Sequence, residues 1–369
     1  MINNLKKLAR RRVEKRLQST LFFICFLSFF PVSGQNDTAS VKEKKTDTPK
    51  RYVSLFSNDE IINVSIYIDL ATYLKKQAKT STFDAEMTIH FSETDTINRN
   101  IVIKYRGISR YEICSFPPMQ INFKKPLYSD SMKIKKLKLV THCDPGGMTD
   151  EYVIREYLVY KLFNALTDTS FRARLLKVNY IDSKGNKKTI SKYGIFIEPV
   201  ELLAKRTNST VVKTEALGQK HIIPYVMDRL SIFNYMITCW DWSIAGQHNV
   251  AVIKSMGNAA SELGIAIPYD FDLTGVVNAD YAIPPPDLGI ETIRDPYFRG
   301  ACRTREVYRE ELKIFAESKD KLYAVVNEFP HLNPRSKKDI TNFLDQFFDQ
   351  LEKPKSLDNL IDIFLKNCK

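Results

Sequence analysis

The chain has 369 residues and a formal net charge of +12, but residues 1–34 carry seven basic residues and one acid, so half of that excess sits in the leader. The charge therefore does not argue for nucleic acid, and no helix-turn-helix or RNA-binding pattern accompanies it. No CxxC pair occurs, which excludes a zinc ribbon or a thioredoxin-type motif.

In chain order, the basic run from Lys6 to Arg16 is followed by an apolar run, Leu21 to Val32, and by Val32-Ser33-Gly34. This is the pattern of a secretory signal, residues 1–34, cleaved after Gly34. The apolar run falls short of the roughly 20 residues that span a bilayer, so no membrane span is expected after cleavage. The expected location is periplasmic, extracellular or at the cell surface. Residues 35–50 are polar, lack aromatics and read as a flexible linker.

From there the sequence alternates. Strands are expected over residues 61–69, 83–91, 100–106, 119–124 and 136–141. Between Asp150 and Thr167 the apolar period becomes helical, and residues 172–181 and 189–197 return to strands. A short helix begins at Pro199, a long apolar helix covers 222–240, and short strands cover 248–253 and 264–269. Helices at 304–327, 335–352 and 356–367 complete the chain. The layout implies an α+β fold: a β-rich lobe with one inserted helix, 51–198, and a mainly helical lobe, 199–369, with a cleft between them. Five cysteines follow the leader, and Cys114 and Cys143, on neighbouring segments, are the best disulfide pair.

The densest chemistry lies in two runs, Asp241-Trp242-Ser243 with Gln247-His248-Asn249, and Pro268-Tyr269-Asp270-Phe271-Asp272-Leu273-Thr274-Gly275. An acid, an amide and a strand ending in two acids supply a base and oxygen ligands for a divalent ion. Mg²⁺ takes one or two carboxylates together with substrate phosphates. Asn249 and Asp270 are the expected ligands. Asp272, two residues on, points to the same side of an extended segment and assists. Asp241 accepts a substrate hydroxyl proton.

The chain resembles the CotH-like (spore-coat protein H) kinases. The resemblance rests on Arg106-Gly107-Ile108-Ser109-Arg110, on Phe116-Pro117-Pro118-Met119-Gln120-Ile121-Asn122-Phe123-Lys124, and on Asp241, Asn249 and Asp270-Phe271-Asp272. It extends over residues 100–305 and is stronger to a subgroup of exported bacterial proteins of no assigned function. It implies an atypical protein-kinase-like fold of two lobes, an antiparallel sheet and a mostly helical half. It also implies phosphoryl or nucleotidyl transfer from ATP with Mg²⁺ or Mn²⁺ to a protein or small-molecule acceptor. A kinase-like site needs a lysine for phosphates and a helix glutamate as its partner. Many CotH-like chains have Pro-Lys where this one has Pro117-Pro118. Lys124 is the best remaining lysine, with Lys104 and Arg106 as competitors. Arg106, Lys124 and Glu156 are thus the expected cofactor-binding residues, and residues 193–199 the segment that meets a purine.

Two other readings compete. Asp270-x-Asp272-x-Thr274 matches the nucleophile motif of haloacid-dehalogenase-like phosphatases, but the residues after it read as helices, without the strands that fold requires. A pseudokinase-type binding or surface interaction module keeps the scaffold and loses the chemistry; the missing Pro-Lys lysine points that way.

Overall fold

The computed structural model describes residues 51–368 apart from 77, 108, 131, 145–148, 215 and 258–261. The expected signal segment and the expected linker lie outside the described residues. The elements run β1 (Tyr52–Val53), β2 (Ile62–Ile68), α1 (Leu70–Leu74), β3 (Thr82–His90), β4 (Thr96–Tyr105), α2 (Ser109–Ile113), β5 (Met119–Ser129), β6 (Met132–Val140) and α3 (Thr149–Leu166). They continue with β7 (Ala173–Asp182), β8 (Ile190–Ile197), α4 (Val200–Arg206), β9 (Ser209–Val211), α5 (Pro224–Met236), β10 (Val250–Ser255) and β11 (Ile265–Pro268). Four helices end the chain: α6 (Arg305–Glu317), α7 (Lys319–Asn327), α8 (Pro334–Glu352) and α9 (Pro354–Asn367).

The strands form a barrel. Their order is β5-β4-β3-β2-β7-β8-β6, and β6 also pairs with β5, so seven strands close on themselves. The barrel is mixed, because β2 runs parallel to β7 from Ile62↔Leu176 to Ile68↔Asp182. Closure is made by β6, which pairs through Lys138 with Gln120 on β5 and with Ile197 on β8. The expected two-lobed, kinase-like fold with an open antiparallel sheet and a separate helical lobe is therefore corrected. Period-2 alternation identifies strands but not their partners, and both the parallel β2–β7 pair and the closing β6–β8 pair join segments distant in sequence.

Alternate side chains fill the barrel, among them Val64, Ile66, Met87, Ile101, Ile121 and Tyr180. Strands β7 and β8 are buried on both faces: Leu176 and Phe196 point into the barrel, whereas Leu175, Ile195 and Ile197 join a second core outside it. That second core holds the apolar face of α3 together with α5, α8, α9 and the three-stranded sheet β11-β10-β9. Helix α3 is thus not an insert within a β-lobe but the layer between barrel and helices, packed on β7, β8 and α7. Residues Lys50–Lys369 form one compact unit. Disulfides join Cys114 to Cys143, the expected pair, and Cys302 to Cys368. Among the described residues no helix is long and apolar enough to cross a membrane.

Candidate active site

Strands β10 and β11 explain why the two chemically dense runs meet. They are antiparallel, with Val250 opposite Pro268, so the residues flanking this end, Asn249 and Tyr269-Asp270, face each other. The Tyr269 N–H donates to the Asn249 carbonyl at 2.9 Å. Gln247, Asn249 and Asp270 all have left-handed backbone, with φ of 44°, 51° and 66°. Asn and Asp tolerate that region better than most residues, and such conformations gather at functional sites. The hydroxyl of Tyr160, on α3, accepts the Asp270 N–H at 2.9 Å.

The barrel contributes the opposite wall. Arg106 directly follows β4, and its backbone N–H donates to the Pro118 carbonyl at 3.0 Å. Gly107 follows at φ +75°, where a side chain would be strained. The chain then enters α2, which carries Arg110. A disulfide from Cys114, just after α2, to Cys143 fixes that helix to the chain leaving β6. Arg110 donates to the carbonyl of Thr141 in the same segment.

One cavity of about 160 Å³ is lined by Asp241, His248, Asn249, Asp270 and Asp272 together with Arg106 and Arg110. Arg106 approaches Asp270 to 3.3 Å and Arg110 approaches Asp272 to 3.8 Å. Burial, reinforced by the charge of Asp270, lifts the Asp272 carboxyl to about 6 against the opposing pull of Arg110. Asp241 accepts from the Asn249 amide nitrogen at 2.9 Å through Oδ2 and lies 2.8 Å from His248 Nε2 through Oδ1. The amide oxygen of Asn249 is thereby turned away from Asp241.

Of the expected site residues, Asp241, Asn249, Asp270, Asp272 and Arg106 share this cavity. Glu156 lies behind it, 1% exposed. Burial first, then the charges of Asp272 and Asp270, raise its carboxyl well above the usual range, and Arg110 and Arg106 work against that rise. Its Oε1 has no hydrogen-bond partner among the described residues. Lys124 is not brought in: it lies on the outer face of β5, half exposed, and pairs with Asp84 at 2.6 Å. Six residues separate it from Pro118 at the site, roughly 20 Å along a strand.

A different lysine reaches the site. Lys138, on the outer face of β6, lies 3.9 Å from the centroid of the Tyr269 ring. Burial and the neighbouring Arg106 charge lower its ammonium to about 8, and Asp270 pulls the other way. It lines a second cavity, of about 360 Å³, between the barrel and the three-stranded sheet, with Phe171, Val200, Val252 and Tyr269 among its apolar walls. Ile197, Glu198 and Pro199, at the end of the expected purine-binding segment, line it too. The two cavities share a wall, since Gln247, Val250 and Tyr269 line one while His248, Asn249 and Asp270 line the other. No local signal picked Lys138 out, because the run Lys133 to Lys138 offers four lysines and only the tertiary fold buries one of them beside Asp270.

The donors fit a hard divalent ion that brings its own ligands. Every candidate that lines the cavity is an oxygen. Among the described residues no three His, Cys, Asp or Glu side chains gather as a protein-only metal cage. Mg²⁺ bound through one or two carboxylates and substrate phosphates needs no such cage. No family model matches the chain, and no curated protein matches it.

Proposed function

We propose that the protein is an exported transferase that moves a phosphoryl or nucleotidyl group from ATP, with Mg²⁺ or Mn²⁺, to a hydroxyl of a protein or small-molecule acceptor. The reading rests on the site rather than on the fold, which hosts no single chemistry. One observation carries it: Asp241 and Asn249 from the segment before β10, and Asp270 and Asp272 from the segment after β11, line one cavity with Arg106 and Arg110.

The larger cavity suits the nucleoside, and its volume of about 360 Å³ lies in the range of small-molecule sites. Lys138, beside the shared wall, meets the phosphates between the two cavities, and Arg106 and Arg110 add charge on the barrel side. Asn249 and Asp270 would hold the ion, with Asp272 assisting. Once bound, the ion would neutralise phosphate charge. For phosphoryl transfer, the acceptor oxygen bonds to the γ-phosphorus, the bond to the bridging oxygen breaks, and ADP leaves with that electron pair. Asp241 takes the hydroxyl proton. Such a reaction needs positioning and charge neutralisation more than covalent chemistry by the protein. Export is supported by the two disulfides, which persist in oxidising compartments.

A second reading, a binding module without catalysis, is favoured by one feature. Guanidinium groups already lie against Asp270 and Asp272 and partly neutralise them. Calorimetric titration of ATP with Mg²⁺ or Mn²⁺ into wild type and Asp270→Ala separates the readings. Metal-dependent binding that disappears in the variant, together with transfer of γ-phosphate label to an acceptor, supports the transferase. Binding without turnover supports the module. Equal binding in both proteins removes Asp270 from the metal site.

A further inference from the structure

We propose that Asp339, on α8, is a positioning residue of the acid site, although it touches none of the groups that line it. The inference rests on the reading of that site given above.

Asp339 accepts from both terminal nitrogens of Arg294, at 3.0 and 2.6 Å, and from Arg155 at 2.7 Å. The same two arginines reach the chain that leaves the acid site. Arg294 Nε donates to the Gly275 carbonyl at 3.2 Å, and Arg155 donates to the Val276 carbonyl at 3.3 Å. Gly275 lies three residues beyond Asp272, and the turn between them is tight: the Thr274 hydroxyl donates to the Phe271 carbonyl at 2.8 Å. Helix α8 also packs on this turn directly. A Cβ at Gly275 would fall 2.7 Å from the Phe343 ring, one helical turn along from Asp339.

The charges explain why a carboxylate is needed there. Arg155 has Glu151 as a second acidic partner, at 2.6 Å. Asp339 is the carboxylate that Arg155 and Arg294 share. Without it, two like charges face each other beneath the turn, Arg294 loses the anion that aims it at the Gly275 carbonyl, and Arg155 is left with Glu151. Asp270 is anchored separately, by Tyr160, so the turn after Asp272 is the side that loosens. The C-terminal helices thus act on the site through one ion pair network rather than by enclosing it.

The test uses Asp339→Asn, which keeps the shape and removes the charge, and Asp339→Glu, which restores the charge. Asp358→Asn serves as a control, since Asp358, on α9, pairs with Arg309, on α6, at 2.5 Å. Two readouts are taken: amide hydrogen exchange of residues 270–278, and affinity for Mn²⁺ with ATP. Asp339→Asn is expected to speed exchange in 270–278 selectively and to weaken Mn²⁺-dependent ATP binding about tenfold, the scale of an indirect support around a metal site. Asp339→Glu should recover much of both, and Asp358→Asn should leave both unchanged. Wild-type exchange in 270–278 in Asp339→Asn overturns the proposal. So does a rise shared equally by all the C-terminal helices, which marks a plain structural brace. If wild type binds no Mn²⁺ and ATP, the transferase reading falls, and the exchange data alone decide the role of Asp339.

Discussion

Tyr160 and Asp270 are joined by a single hydrogen bond of 2.9 Å, in which the tyrosine hydroxyl accepts the aspartate's backbone N–H. Tyr160 is 1% exposed and packs on Phe271 at a centroid distance of 4.8 Å. The bond therefore satisfies a half-buried donor at the one residue of this loop that combines positive φ with a cavity-facing carboxylate. It also ties the acid site to α3, the helix that carries Glu156 and Arg155.

Tyr160→Phe keeps the ring and removes the acceptor. A donor left without its partner costs about 1–3 kcal/mol. Because Asp270 holds an uncommon backbone conformation, its loop should relax once that anchor is gone. The expected outcome is a modest loss of stability in urea titration and a fall of about tenfold in metal-dependent ATP affinity. An unchanged affinity at reduced stability would show that Tyr160 supports the core alone.

Lys138 gives the site a pH dependence. Burial and the Arg106 charge bring its ammonium down to about 8. It is charged below that pH and neutral above it, so its attraction for phosphates is present at pH 7 and fades as pH rises through about 8. ATP affinity is expected to fall about tenfold between pH 7 and 9, in line with one proton lost over that window. Lys138→Met should bind weakly at every pH with a flat profile. Lys138→Arg, charged throughout, should also be flat but tighter. A wild-type profile as flat as that of Lys138→Met would remove Lys138 from phosphate binding.

Much of this was legible in local patterns. The alternation of 61–69 and 83–91 located β2 and β3 to within a residue, and the helical period of 150–167 located α3. Boundaries failed where local chemistry interrupted the pattern. Strand β5 runs on to Ser129 because a register shift between Asn122 and Leu127 absorbs Lys124, Lys125 and Pro126. The expected helix 304–327 breaks at Ser318, which ends α6 and begins α7. The barrel was not legible, since closure depends on which strands pair. For the site, Asp241, Asn249, Asp270 and Asp272 were legible because order and spacing along the chain carried them to one strand-pair end. Lys138 and Asp339 were not, because their neighbours come from elements far away in sequence.

The Cys114–Cys143 bond should matter to both stability and site. It closes a span of 29 residues, and in the chain-entropy model that is about 3.6 kcal/mol. It also holds α2, and with it Arg110, against the segment that offers the Thr141 carbonyl. Replacing both cysteines by serine is expected to lower stability by that order and to weaken metal-dependent ATP binding. Non-reducing peptide mapping of wild type should recover the 114–143 linked pair. Both recovered as free thiols after oxidising expression would contradict the pairing.

His142 predicts how the fold responds to acid. It is fully buried, stacked on Phe116 at a centroid distance of 4.1 Å and near Tyr180 at 5.7 Å. Neither ring nitrogen has a hydrogen-bond partner among the described residues. Burial, with Lys192 and Arg110 adding like charge, lowers its imidazolium to about 3 from an ordinary 6.5. The folded protein thus keeps this ring neutral while the unfolded chain takes up a proton below pH 6.5. Between 6.5 and 3 the unfolded state binds more protons, so stability falls as pH falls through that window and is fully present above it. From pH 7 to 5 this one group should remove about 2 kcal/mol of unfolding free energy. His142→Phe keeps an aromatic ring between Phe116 and Tyr180 and has nothing to protonate. In urea unfolding at pH 7 and pH 5, wild type should lose more stability than His142→Phe by about that amount, and the variant should be the more stable of the two at pH 5. Parallel losses in the two proteins would show that the acid sensitivity lies elsewhere.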